Sequence, residues 1–542
     1  MSEQTNEQLS VTSKQAQEIE LLQDIAKRPF FSRAFGYIKL TGPGLLQGAM
    51  TLGAGSAAAS VVAGASFGYK LLWVQPVAMF LGVMMFAAVS NIVLTKKTER
   101  PYWGFMREMK SIWSPFVIIV FFWALGTIMS SVIWHFPQYT LAAGAARSIV
   151  QQFSPESVLD NEVEIEKRNW FGFGDVQIDK QTKSPIMVKV TKYTALGYTV
   201  SVITGVIILL VNIIVVFNYG RGGIGIKVYE WFLRFMMALV FLTFFIVVIL
   251  NFHKIDWLEV LRGFTGYYGI PYNDDPVEYA KTVTMVLGML GAAVGINMTF
   301  LYPYSLLKKG WGEEHKTLAK WDLGMTLFIP FTIVTSLIML GMTVSGVYEG
   351  KDVVNSTINP LAAAVALQSG GLISKELATV IFCGGLFGMT FGAISAHMTC
   401  CGFTLCEMFG LKQTTWKFRL FTLVPSIGVF GVVFKLPFWF PVMASAVCLT
   451  MLPIAYLIFI ILSNKRSYIG DAVGKGVKRW IFNAILVVAL ILAIFGSSVK
   501  IKTDVITPIK RTIEHLLNDK NPTPIDPPIR TPVNISDEES DN

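Results

Sequence analysis

Two runs of small residues lie inside otherwise apolar segments: Leu52-Gly53-Ala54-Gly55-Ser56-Ala57-Ala58-Ala59-Ser60 and Leu290-Gly291-Ala292-Ala293-Val294-Gly295-Ile296-Asn297-Met298-Thr299. Neither contains an acid or a nucleophile beside a base, so the chemistry they offer is that of the peptide group. Small, glycine-rich runs make weak continuous helix. Unwound inside a bilayer, they leave free carbonyls on one half-helix and free N–H groups on the other. Such groups are tolerable only where they line a cavity or hold a ligand. The same residues also permit close helix packing through small-xxx-small contacts. Their matched positions, in the first and sixth apolar segments, favour a site, because inverted repeats break helices at corresponding places. Uncharged surroundings with half-helix N-termini suit a small anion or a neutral polar solute.

Two histidines lie at membrane depth. His135 follows Trp134 in the third segment, and His397 sits in the eighth near Cys400 and Cys401. An ionisable group there is a functional hypothesis by default, here one of ion coupling. The plainer reading, a neutral imidazole bonded within the bundle, is slightly the stronger of the two. His397 and Cys401 share a helical face, yet two ligands on one turn fall short of a metal site. His253, His315 and His515 fall in loops or the tail. The cysteines (Cys383, Cys400, Cys401, Cys406, Cys448) form no CxxC motif and read as packing thiols. No catalytic pair or ligand set emerges, so neither an enzyme nor a resident cofactor is expected.

The elements that must carry these residues are membrane helices. The 542-residue chain is 53% hydrophobic and only 15% charged, where about 25% is usual for soluble domains. With a mean hydropathy of +0.54, a soluble globule, a coiled coil and a disordered chain are all excluded. Eleven apolar segments follow, at about 43–67, 70–95, 114–146, 193–217, 228–251, 282–306, 320–346, 377–405, 418–434, 437–462 and 480–498, each suited to a ~30 Å hydrocarbon core and the ninth short. The net charge of +9 comes without a basic, aromatic-interleaved stripe, so nucleic acid is not an expected partner. Lys and Arg instead follow the loops. A cytoplasmic N-terminus puts about 24 of them inside against about 6 in the short outside loops. The chain therefore reads as a multi-pass protein of the plasma (cell inner) membrane, its partners the lipid bilayer and a small solute, with its C-terminus outside. No signal peptide is read at the N-terminus.

The domain reading is a cytoplasmic segment 1–35, a first repeat 36–251 (helices 1–5), a second repeat 252–462 (helices 6–10), a loop with helix 11 at 463–499, and a tail 500–542, partly disordered. An insertion at 150–192 would face outside and contains a possible strand over Ile186–Val190. It is too small for a core of its own. The tail carries one possible amphipathic turn, Ile509–Leu517, before its Pro- and Asp-rich end.

Gly42-Pro43-Gly44 opening the first segment and Phe67-Gly68-Tyr69-Lys70-Leu71-Leu72-Trp73 leading into the second resemble the NRAMP divalent-metal transporters. So do Leu290-Gly291-Ala292, Glu407 closing the eighth, and Leu452-Pro453 followed by Asn464-Lys465-Arg466. The likeness is collinear over most of 36–498, specific in the first two segments and diffuse beyond them. It implies an all-α fold of LeuT type, with 5+5 inverted repeats, broken helices 1 and 6, and transport of a divalent cation by alternating access. The departures fall on the expected metal site. Where the family reads Asp-Pro-Gly-Asn, this chain has Gly53, Ala54, Gly55 and Ser56; where it reads Met-Pro-His, this chain has Gly295, Ile296 and Asn297. The family's carbonyl ligand would come from Ala292, and a Gln of its tenth helix aligns with Ser445. Acids of its proton route align with Leu125, Val132 and His135. The resemblance thus implies a retained scaffold whose transition-metal ligands, carboxylate and thioether alike, are gone. A non-transporting sensor on the same fold is the alternative from another class.

Overall fold

The computed structural model describes residues 16–99, 104–153, 160–166, 187–219, 224–345, 374–413, 416–433 and 448–502. Among these residues, eight helices are long and apolar enough to cross a membrane, and a bent pair makes a ninth. The pair is the first span: Pro43–Thr51 and Ala54–Phe67 meet at 51° around Leu52 and Gly53. Spans two to five are Val74–Glu99, Phe116–Gln152, Ala195–Tyr219 and Ile224–Leu250. The sixth is Pro276–Ala293 and Met298–Lys309, interrupted at 294–297 with a gentler change of direction. The seventh runs from Lys316–Asp322 through a π-helical turn, Leu323–Phe328, into Ile329–Ser345. Lys375–Met408 is the eighth span and Gly476–Ile501 the eleventh.

The ninth and tenth segments differ from simple helices. The ninth is a short helix, Trp416–Thr422, followed by 3₁₀ helix over Val424–Val432. Pro425 withholds an N–H, and the Gly431 carbonyl accepts the Thr140 hydroxyl of span three at 2.7 Å. Gly428 and Gly431 press against the backbone around His135 and Phe136, where added Cβ atoms would fall 2.3 and 2.4 Å from their neighbours. The tenth is seen as Leu452–Asn464; its expected first half, with Ser445, lies outside the described residues. So do the Ile509–Leu517 turn and the rest of the tail. In the insertion, Asp160–Glu166 pairs antiparallel with Met187–Tyr193, Val163 opposite Val190, so the expected strand is present but runs three residues further.

Contacts sort the spans into two groups. Spans three, four, eight and nine pack on one another, the longest contact being span three along span eight. The second half of span one packs on span seven, and both halves of span six pack on span two, with its second half also against the start of span one. Glycine sets the tightest approaches. A Cβ on Gly48 would stand 2.4 Å from the Thr326 carbonyl of the π-helical turn, and one on Gly64 2.5 Å from the Met339 carbonyl. All five cysteines are free and buried in this packing.

Candidate functional site

In an unbroken helix the Ala54 N–H would bond to the Met50 carbonyl, four residues back. Here it donates to Gln138 Oε1 of span three at 2.9 Å. The break therefore removes the helical partner of the Met50 carbonyl and ties the second half-helix to the other group of spans. Gly53 allows this because a Cβ there would meet the Gln138 amide at 2.7 Å. Gly55 lies under the Trp134 indole, where a Cβ would be 2.3 Å from the ring. That indole is fixed in turn, its N–H donating to Cys448 Sγ at 3.1 Å. The N-terminal N–H groups of the half-helix are thus not all bare: one is already bonded by a side chain.

The sixth-span break is closed by its own residues. Asn297 caps the second half-helix, its Oδ1 accepting from the Met298 N–H at 3.0 Å. Its amide nitrogen meets His397 Nδ1 at 3.1 Å, and its backbone carbonyl accepts from the Cys400 thiol at 3.2 Å. The His397 ring touches His135 edge-on, centroids 5.8 Å apart. His135 Nε2 lies 3.2 Å from the Ile394 carbonyl. Asn297 at the break is therefore hydrogen-bonded to His397, whose ring abuts that of His135, and all three residues are buried.

Between the breaks is a cavity of about 30 Å³, room for one or two water molecules. Of the residues the sequence offered as solute contacts, Gly53, Gly55, Ser56, Ala292, Gly295 and Asn297 line it, while Ala54 and Ile296 are buried beside it; His397, offered as a coupling group, also lines it, and His135 reaches it only through His397. The sequence reading did not single out Met50, Thr51, Trp134, Gln138, Gly291 and Met298, which line it too. Gln138 was findable as a polar residue inside an apolar span. Met298 corrects a specific expectation, since the thioether is not gone. Its sulfur accepts from the Thr51 hydroxyl and the Gly295 N–H, each at 3.4 Å. The register of the break places it one residue beyond the stretch aligned with the family's Met-Pro-His. No carboxylate among the described residues lines the cavity. Among the described residues no three His, Cys, Asp or Glu side chains cluster as metal ligands.

Nearby acids serve helix ends instead. Asp322, fully buried, accepts from the Gly42 N–H at 3.0 Å and from the Gly44 N–H, so it caps the first half-helix from span seven. Glu230 of span five pairs with Lys309 at the end of span six and with Arg234 at 3.8 Å. Glu407 accepts from the Met106 N–H at 2.9 Å, at the start of the helix Phe105–Ile112.

The architecture has known counterparts. The Eremococcus coleocola manganese transporter, solved with an aromatic bis-isothiourea compound, is 12% identical over 91% of this chain and 92% of its own, with a TM-score of 0.61. A mutant of the same transporter is similar at 0.59, covering 92% and 90%. MhsT in complex with L-phenylalanine is 11% identical with a TM-score of 0.52, over 84% and 98%. The fold is thus the LeuT type, 5+5 inverted repeats with broken helices one and six, in a multi-pass membrane protein. No curated protein matches the sequence. Residues 192–497 match the model for natural resistance-associated macrophage protein-like (Nramp) sequences. More than half of the chain lies in that match, and the remaining spans complete the same fold around two facing helix breaks; the chain belongs to the Nramp family of membrane transporters.

Proposed function

We propose that the protein is a secondary transporter that carries a small solute by alternating access, and that the solute is held between the two helix breaks. The observation that carries this reading is the position of the cavity. Spans one and six supply one side, and Trp134, Gln138 and His397 of spans three and eight supply the other. Rocking one group against the other would expose such a cavity to each face of the membrane in turn. Gly53, Gly55, Ser56, Ala292, Gly295 and Asn297 would contact the solute, with His397 and His135 as a coupling pair.

The lining sets the solute class. Hydroxyls, amides, backbone groups, thioethers and one imidazole are all neutral or neutralisable ligands. A dehydrated divalent cation in low dielectric needs anionic partners to offset its lost hydration. The reading favoured here is therefore a small anion or neutral polar solute. Metal-ion transport, the family's reading and the activity named for the manganese-transporter neighbours, is the second. Met298 and His397 favour it, because thioether and imidazole are soft ligands suited to transition metals. The loop charges support a cytoplasmic N-terminus and an outside C-terminus.

Flux into proteoliposomes tests both readings. The protein is expected to carry no saturable Mn²⁺ or Fe²⁺. Small anions and neutral metabolites that raise its melting temperature are expected to be transported. Robust, saturable Mn²⁺ uptake would overturn the first reading and establish the second.

A further inference from the structure

A second cavity, far more apolar than the first, opens on the flank of the molecule. It holds about 240 Å³ between Phe116 and Ile119 of span three, Ile458 and Leu462 of span ten, and Met109 and Ile112 of the short helix Phe105–Ile112. Among the described residues every lining side chain is apolar. Its margin residues Leu457, Ile461 and Ile119 are 50, 40 and 37% exposed, so it opens sideways, where the bilayer would lie. Along span ten it extends from Ile454 to Leu462, about 12 Å of helix.

An apolar cleft at that depth does not hold water, which needs two or more polar partners. Left empty, its walls would forgo their dispersion contacts. A hydrocarbon chain satisfies both conditions. Basic residues adjoin the lining in sequence at one end of the cleft. Lys110 is exposed on the same short helix as Met109 and Ile112, and Lys465 directly follows span ten. Trp113, 56% exposed beside them, is of the type that settles at headgroup level. Basic side chains at that level attract anionic headgroups. We propose that this cleft is a binding site for one anionic phospholipid, its acyl chain between spans three and ten and its headgroup against Lys110 and Lys465. Span three belongs to one packed group, while span ten packs on spans two and eleven of the other side. The lipid would therefore sit in the seam between parts that transport moves.

The test uses the full chain in nanodiscs of equal phosphatidylglycerol and phosphatidylcholine, released into mild detergent and weighed by native mass spectrometry. The expected species is a monomer retaining one phosphatidylglycerol. Filling the cleft with Ile458→Trp should lower the lipid-bound fraction at least about tenfold. Ile119→Trp, at the lipid-exposed margin, should do the same and serves if the first variant does not fold. Lys110→Gln should reduce the preference for phosphatidylglycerol about fivefold, the effect of one basic residue near an anionic surface. Unchanged lipid retention in the filled variants would overturn the site. Equal retention of the two lipids by the unaltered chain would overturn its anionic character. A dimer mass that disappears on filling would show that a second copy occupies the cleft instead.

Discussion

Gly55 and Gln138 do what no side-chain class would reveal alone: one makes room for a ring, the other takes the hydrogen bond that a helix gave up. A methyl group on Gly55 would stand 2.3 Å from the Trp134 indole, and that ring is held by its bond to Cys448. Gly55→Ala should therefore push the ring into the cavity and lower transport at least about tenfold, a change of 1.4 kcal/mol or more, while the protein still elutes as a folded monodisperse species. Adding Trp134→Ala should restore part of that loss, since the clash disappears with the ring. Additive losses in the double-mutant cycle would show that the two residues are not coupled. Gln138→Glu makes the complementary case. The new carboxylate keeps an acceptor for the Ala54 N–H and adds the charge that the cavity lacks. Mn²⁺ should then raise the melting temperature of this variant and leave that of the unaltered chain unchanged. An equal response in both would mean that the neutral lining is not what excludes the ion.

Helices were the most legible part of the sequence, and their ends the least. Long apolar runs announce spans because each must satisfy its own backbone in lipid. The two interruptions were visible as small-residue runs for the same reason. What joins the breaks to their surroundings was not legible. The Gln138, Trp134 and His397 contacts join residues that are distant in sequence, and no periodicity encodes them. Likewise, the shift that brings Met298 into the cavity is a matter of helix register. The ninth segment read as a short span because its hydropathy is ordinary; the proline and the glycine contacts that make it 3₁₀ act through span three. Asp322 shows how an element's end is decided from outside. Sequence gives the first half-helix only glycine and proline at its start, yet a carboxylate from span seven bonds two of its free N–H groups and faces its positive end. Asp322→Ala should destabilise the protein by about 2–3 kcal/mol, as expected for charge-assisted bonds left unmade. Asp322→Asn, which keeps an acceptor, should lose less. Thermal unfolding in detergent measures both, and equal melting temperatures in all three proteins would deny the cap a structural role.

At the scale of the whole molecule, the same end carries a charged closure. Glu230 is 4% exposed and pairs with Lys309, while Arg234 bonds the Thr41 carbonyl at 2.8 Å just before the first span. Spans one, five and six are thereby fastened together at the start of the first half-helix, the end that the proposed alternating access would use as one mouth of the path to the cavity. Opening that mouth would let water reach Glu230. The buried acid resists opening only as long as Lys309 compensates it. Lys309→Met leaves Glu230 with Arg234 at 3.8 Å, so the closed form loses free energy that the hydrated, open form does not. A bias of about 1.4 kcal/mol shifts the populations tenfold. A cysteine replacing Met50, which lines the cavity, reports the opening, because the five native cysteines are buried. In Lys309→Met, a membrane-impermeant thiol reagent added from this side should label that cysteine about tenfold faster. Adding Glu230→Gln removes the charge that needed compensation, and it should return the rate most of the way. If labelling keeps the same rate in all three backgrounds, the ion pair does not hold this mouth shut, and closure rests on the other contacts at this end: Arg234 on the Thr41 carbonyl, Asp322 on the Gly42 and Gly44 N–H groups, and the packing of Gly44 and Gly48 against span seven.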